Sequence, residues 1–253
     1  MGIAAIALNT FREGVRDKIF YAIVIFGIII MASSRLISAL SLGQVDKITK
    51  DLGLATMSLL GLLVAVFVGT KLVYEEISRK TIYTIVSKPI TRSQFVIGKY
   101  FGLILIVAVT LGILTGFFSL IVYLNLGNLS SPLLTATVLA FFELTVITSI
   151  AIFFSTFTSP ISSALFTMGI WVAGHFSHDL KGLAQMSDSA LARGVSVLLY
   201  YVVPNLSNFD IRGEVVHGID VPWSFILLSM VYGLVYSAVV ILTATLIFRR
   251  RSF

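Results

Sequence analysis

Residues 74–100 read YEEISRKTIYTIVSKPITRSQFVIGKY, a well-charged island between two long apolar runs. It carries Glu75, Glu76, Arg79, Lys80, Lys88, Arg92 and Lys99. A basic loop of this size between two hydrophobic segments is expected on the cytoplasmic side of a membrane. Ile77, Thr81, Ile82 and Ile85 recur at helical spacing, so the loop offers one apolar face to a partner. Pro89 breaks that helix. Thr91 with Gln94 three residues on forms a capping box that starts a new helix into the next span.

The wider composition fixes the class. Of 253 residues, 57% are hydrophobic and only 12% charged, and the mean hydropathy is +1.00. A soluble domain needs far less apolar surface, whereas an all-α polytopic membrane protein needs this much. Long unbroken apolar runs exclude a transmembrane barrel, whose strands alternate. Without cysteine there is no disulfide, thiolate chemistry or cysteine metal site. The net charge of +6 follows from positive-inside bias and calls for no nucleic-acid partner.

Residues 2–17 place Ile3, Ala7, Phe11 and Val15 on one stripe and Asn9, Arg12, Glu13 and Arg16 opposite, as in an interfacial helix on the inner leaflet. The charges follow the apolar residues, so this is not a signal peptide. Spans are expected at about 19–40, 53–73, 96–124, 132–157, 161–176 and 222–248, with a polar loop at 41–52. Arg35 can snorkel to the outer interface. Gly98 with Gly102 and Gly112 with Gly116 are two small-xxx-small patterns suited to close helix packing. Thr158, Ser159 and Pro160 make a tight turn, and Pro222 occupies the first position of the last span. Residues 178–221 form the one large outer segment, and within it 190–203 is apolar and too short to span, as in a re-entrant helix. The whole chain, 1–253, reads as a single membrane domain. This topology puts 12 basic residues inside and 6 outside; the inverted one would reverse that bias, so both termini are expected in the cytoplasm.

Several residues invite a chemical reading. Glu143 sits near the middle of the fourth span. An ionised carboxylate facing lipid there costs about 2.5 kcal/mol or more, so it must face the bundle or a partner, or carry its proton. Either it serves a transport path or proton site, or it makes a structural hydrogen bond. His175, His178 and Asp179 have the look of an incomplete metal site, more simply read as a polar helix end. Asn128 and Asn205 each open a glycosylation triplet, too short a motif to carry weight. Glu75 and Glu76 either pair with Arg79 and Lys80 or form a polar rim for a docking partner. No phosphate-binding loop, nucleophile elbow or zinc helix is present. Driven work therefore needs an engine on another subunit.

NTFREGVRDK, YEEISRKTIYTIVSKPITRSQFVIGKYFG, FFSTFTSPISSALFT and YYVVPNLSNFDIRGEVVHG together resemble the type-2 permeases of ATP-binding-cassette (ABC) transporters, and within them the NosY-like bacterial subgroup. The resemblance spans nearly the whole chain, departing at Lys80-Thr81, where many relatives carry Gly-Thr. It implies six transmembrane helices per protomer, an elbow helix at 2–17, and a cytoplasmic coupling loop at 74–92. Two protomers, as a homodimer, would meet two copies of a separate ABC ATPase. The coupling helix, with Glu75, Glu76, Arg79, Thr81, Ile82 and Ile85, would seat in the ATPase, which holds the ATP and magnesium; this chain holds no cofactor and is no enzyme. The resemblance further implies an exporter of the bacterial inner membrane, in contact with lipid and open to a periplasmic subunit. The rival reading is an anchor or mechanotransmission subunit that uses the same ATPase and moves no substrate; a membrane metalloenzyme is a third.

Overall fold

The structure is a computed structural model that describes residues 2–39, 45–72, 91–126, 131–177 and 202–250. The coupling-loop residues Glu75, Glu76, Arg79, Thr81, Ile82 and Ile85 lie outside the described residues, as do His178, Asp179, the side chain of Arg35 and most of the apolar stretch 190–203. Among the described residues every regular element is helical.

In chain order, α1 is Ile3–Val15 and α2 is Lys18–Ala39. Next, α3 begins at Val45 and runs through a π-helical turn at Val64–Val68 to Leu72. Beyond the coupling loop come α4, Arg92–Leu126, α5, Ser131–Ser155, and α6, Pro160–His175. A 3₁₀ turn at Leu206–Phe209 and the short α7, Arg212–His217, precede α8, Trp223–Arg250.

Among the described residues four helices are long and apolar enough to cross a membrane: Val45–Leu72, Arg92–Leu124, Pro132–Ser155 and Trp223–Arg249. The described apolar part of α2, Lys18–Ser34, is shorter. The 16 residues of α6 extend only about 24 Å at 1.5 Å per residue, against a hydrocarbon core of about 30 Å. The aliphatic surfaces these helices turn outward, on α2, α4 and α8 above all, are what lipid-facing helices require.

The restart after the loop forms as its sequence dictates. The Thr91 N–H donates to Gln94 Oε1 at 3.0 Å, and the Gln94 N–H donates to Thr91 Oγ1 at 3.3 Å. Ser159 caps α6 through the Ser162 N–H, with Pro160 in the first turn. Pro222 stands one residue ahead of α8, its carbonyl accepting from the Phe225 N–H at 3.0 Å.

Three expectations need correction. The polar stretch 41–52 is largely helix: α3 starts at Val45, held by an Asp46–Lys50 pair at 2.9 Å one turn apart. The exposed face of α1 is the expected one, but of the apolar stripe only Ala7 is fully buried, beside Thr10 and Gly14, while Ile3, Phe11 and Val15 are half-buried. Small residues win there because α1 lies directly on α4. The third correction concerns the glycine pairs. A Cβ at Gly102 would meet Thr10 Cβ at 2.6 Å and the Ala7 carbonyl at 2.7 Å, and one at Gly98 would meet Ile6 Cβ at 2.7 Å. Gly112 and Gly116 meet nothing within 4 Å and open onto a groove of about 460 Å³ between α4 and α5.

α1 packs chiefly on α4, and α5 on α8. One core cluster gathers Phe20, Val68, Leu72, Phe95, Leu103 and Phe248 at the end holding both described termini. The other gathers Met57, Phe118, Leu139 and Leu144, and takes in Leu206, Phe209, Ile211 and Val215. The described part of the outer segment therefore enters the bundle.

Asp17, in the turn between α1 and α2, pairs with Lys71 near the end of α3. Partial burial raises its carboxyl, but the Lys71 hydrogen bond, the Ile19 N–H and the Lys71 charge together hold it below its ordinary 3.8. A carboxylate depressed in the fold contributes stability that is present above its unfolded value and lost as pH falls through the folded one. Melting temperature should therefore fall on acidification below about 3.8 more steeply in the parent than in Asp17→Asn. Equal acid sensitivity would contradict this.

Candidate functional site

Along the middle of α5 the residues from Leu144 to Ile152 are all buried, and Glu143 begins this run at 2% exposure. A carboxylate so placed must find donors. α6 supplies them. Trp171 and His175 are four residues apart, so both face α5. Trp171 Nε1 donates to Glu143 Oε1 at 2.8 Å. His175 Nε2 stands 3.6 Å from the same oxygen, and its ring lies 4.7 Å from the Trp171 ring, tilted by 55°. His175 Nδ1 is 3.1 Å from the Trp171 carbonyl.

The segment leading to α7 closes over this cluster. Ser207 Oγ donates to the His175 carbonyl at 2.9 Å, and Ser177 Oγ to Asn205 Oδ1 at 2.9 Å. From α8, Tyr232 Oη accepts the Asn205 N–H at 2.9 Å, and Ser229 Oγ donates to the Asn208 carbonyl at 3.1 Å. Leu206 seats against Gly174, where a Cβ would come within 2.8 Å of its side chain. Asp210 and Arg212 pair with each other at 3.2 Å and lie close enough to act on Glu143 electrostatically. Together with Met57, Ala140 and Phe209 they line a cavity of about 30 Å³ onto which Glu143 opens, room for a water-sized guest.

Glu143 thus joins α5 to α6 directly beneath the entering segment. The structure unites it with His175, which the sequence pairs with His178 and Asp179. Among the described residues no three His, Cys, Asp or Glu side chains converge as metal ligands. Trp171 went unread, although its spacing from His175 and the lone carboxylate on the neighbouring span were both visible. Lys99, counted in the sequence among the cytoplasmic charges, is completely buried and donates to the Leu72 carbonyl at 3.3 Å.

The model of the ABC-2 family transporter proteins matches residues 4–253. The chain belongs to the ABC-2 family. Comparison with curated proteins returns no match. Membership makes this a multi-pass membrane protein, the permease component of an ABC transporter.

In this ABC-2 permease the Trp171 contact gives Glu143 a measurable structural share. Glu143→Gln keeps an oxygen for the Trp171 N–H and should melt close to the parent. Glu143→Leu leaves that buried N–H without its acceptor, which costs about 1–3 kcal/mol. Thermal unfolding of the purified variants in detergent checks the order; a leucine variant as stable as the glutamine one would show that the bond contributes nothing.

Proposed function

We propose that this permease is the membrane-spanning subunit of an exporter with NosY-like organisation. Six spans place both termini in the cytoplasm, and two copies pair as a homodimer in the bacterial inner membrane. Two separate ABC ATPase subunits sit on the cytoplasmic face and hold the ATP and magnesium, while the permease has no cofactor of its own. The coupling helix lies within residues 74–92, where Glu75, Glu76 and Arg79 form its polar rim and Thr81, Ile82 and Ile85 its apolar face. Closure of the ATPases moves these helices and rocks the two bundles about their shared interface, and Glu143 lies on the path so formed.

The observation that carries this reading is the family match over residues 4–253. Two features of the sequence agree with it: a basic loop with an apolar face, and no phosphate-binding loop. The purified chain alone should show no vanadate-sensitive ATP hydrolysis and should acquire it only with a second subunit. Hydrolysis by the chain alone would overturn the proposal.

A further inference from the structure

The first two turns of α4 carry a stripe that the permease reading leaves unused. Arg92, Phe95 and Lys99 recur at i, i+3 and i+7 and therefore share a face. Arg92 Nη1 lies 3.3 Å from the carbonyl oxygens of both Phe248 and Arg249, at the C-terminal end of α8. The Phe95 ring stacks on that of Phe248, centroids 5.9 Å apart and planes within 19°. Lys99 Nζ sits 5.9 Å from the Phe95 ring centre and donates to the carbonyl of Leu72, the last described residue of α3.

Backbone carbonyls toward the C-terminal part of a helix lie at the negative pole of its dipole, so basic side chains beside them are favoured. From one face, then, α4 grips the backbone of two other helices. Lys99 is among the largest fully buried side chains described. Packing alone would favour an apolar residue there, since a buried amine is costly unless its donors are met. Its place between α3 and α4 is also where the chain leaves for the coupling loop and returns from it.

We infer that Arg92, Phe95 and Lys99 are positioning residues, a yoke that ties Leu72 of α3 and the C-terminal part of α8 to the start of α4, so that movement delivered at the loop reaches the last span as one displacement. This rests on the proposed role of the loop in coupling. Without the yoke, the two flanks of the loop could shift while α8 stayed behind.

The absence of native cysteine makes the test specific. Cysteines at Leu246 on α8 and Ile161 on α6, both exposed, take spin labels in the complete complex with its ATPase. α6 carries none of the yoke contacts. The distance between the labels is compared with and without ATP and vanadate. In the parent it should shift on trapping. Lys99→Met and Arg92→Gln should lose that shift while the ATPase stays bound and hydrolyses ATP, and Lys99→Arg should restore it. A parental shift in both loss variants overturns the yoke, and so does a parent that binds its ATPase without shifting. Absence of an ATPase from the parental complex strikes the coupling reading instead, and the yoke falls with it.

Discussion

Reversing both carboxylates of the coupling loop, Glu75→Lys with Glu76→Lys, is expected to leave the chain abundant in the membrane and to strip it of its ATPase. The apolar runs that drive insertion are untouched, so accumulation should be normal. At the rim of a docked helix the change is severe. Two negative charges become two positive ones beside Arg79, Lys80 and Lys88, and a partner surface that suits acids now meets like charge. Like charge set against a docked surface costs about 2 kcal/mol or more, roughly a thirtyfold fall in affinity. The ATPase retained on the purified variant, and the ATP hydrolysis that comes with it, should fall together. Neutral Glu75→Gln with Glu76→Gln should lie between. A reversed variant that binds its ATPase and drives it as the parent does would remove these residues from the coupling surface.

Gly102→Leu should have the largest effect on stability. The position admits no side chain, because an added Cβ would meet the Ala7 carbonyl at 2.7 Å and Thr10 Cβ at 2.6 Å. The carbonyl belongs to the backbone of α1 and can withdraw only if the helix does. Overpacking of this kind costs about 1–3 kcal/mol, and here it acts on the main contact that holds the elbow helix. The melting temperature should drop, and a cysteine placed at Thr10, buried in the parent, should become open to thiol reagents. Gly112→Leu is the control, since nothing lies within 4 Å of its added Cβ. Equal melting of the two variants would contradict the docking geometry.

The two glycine pairs mark how far the sequence could be read. Both show the same four-residue spacing on one helix, and only the presence of α1 separates the closed pair from the open one. Periodicity reports which residues share a face; it does not report what covers that face. The α4, α5, α6 and α8 segments were legible because a hydrocarbon solvent leaves long apolar runs and caps at their ends. The capping box at Thr91 and Gln94 was legible because it is local. The start of α3 was not, because Asp46 and Lys50 look like loop residues until they pair across a turn. Nor was the inward path of Leu206, Phe209, Ile211 and Val215, whose burial depends on a space between distant helices.

The candidate site divides in the same way. Glu143 announced itself by the cost of a carboxylate in a span, whereas Trp171 and His175 needed the packing of α6 against α5 to be identified as its neighbours. Lys99 was hidden by its company: a cation next to a basic loop reads as one more positive-inside charge, and only the fold shows it buried against the Leu72 carbonyl of α3.

That this chain is the membrane half of an ATP-driven transporter can be checked by gentle affinity purification from its native membranes. Mass spectrometry would identify what accompanies it, and vanadate-sensitive ATP hydrolysis would be measured on the same sample. A stoichiometric partner that carries a phosphate-binding loop is expected, with hydrolysis that disappears when Glu75 to Ile85 are altered. A chain that purifies alone, or only with partners that hydrolyse no ATP, would contradict it.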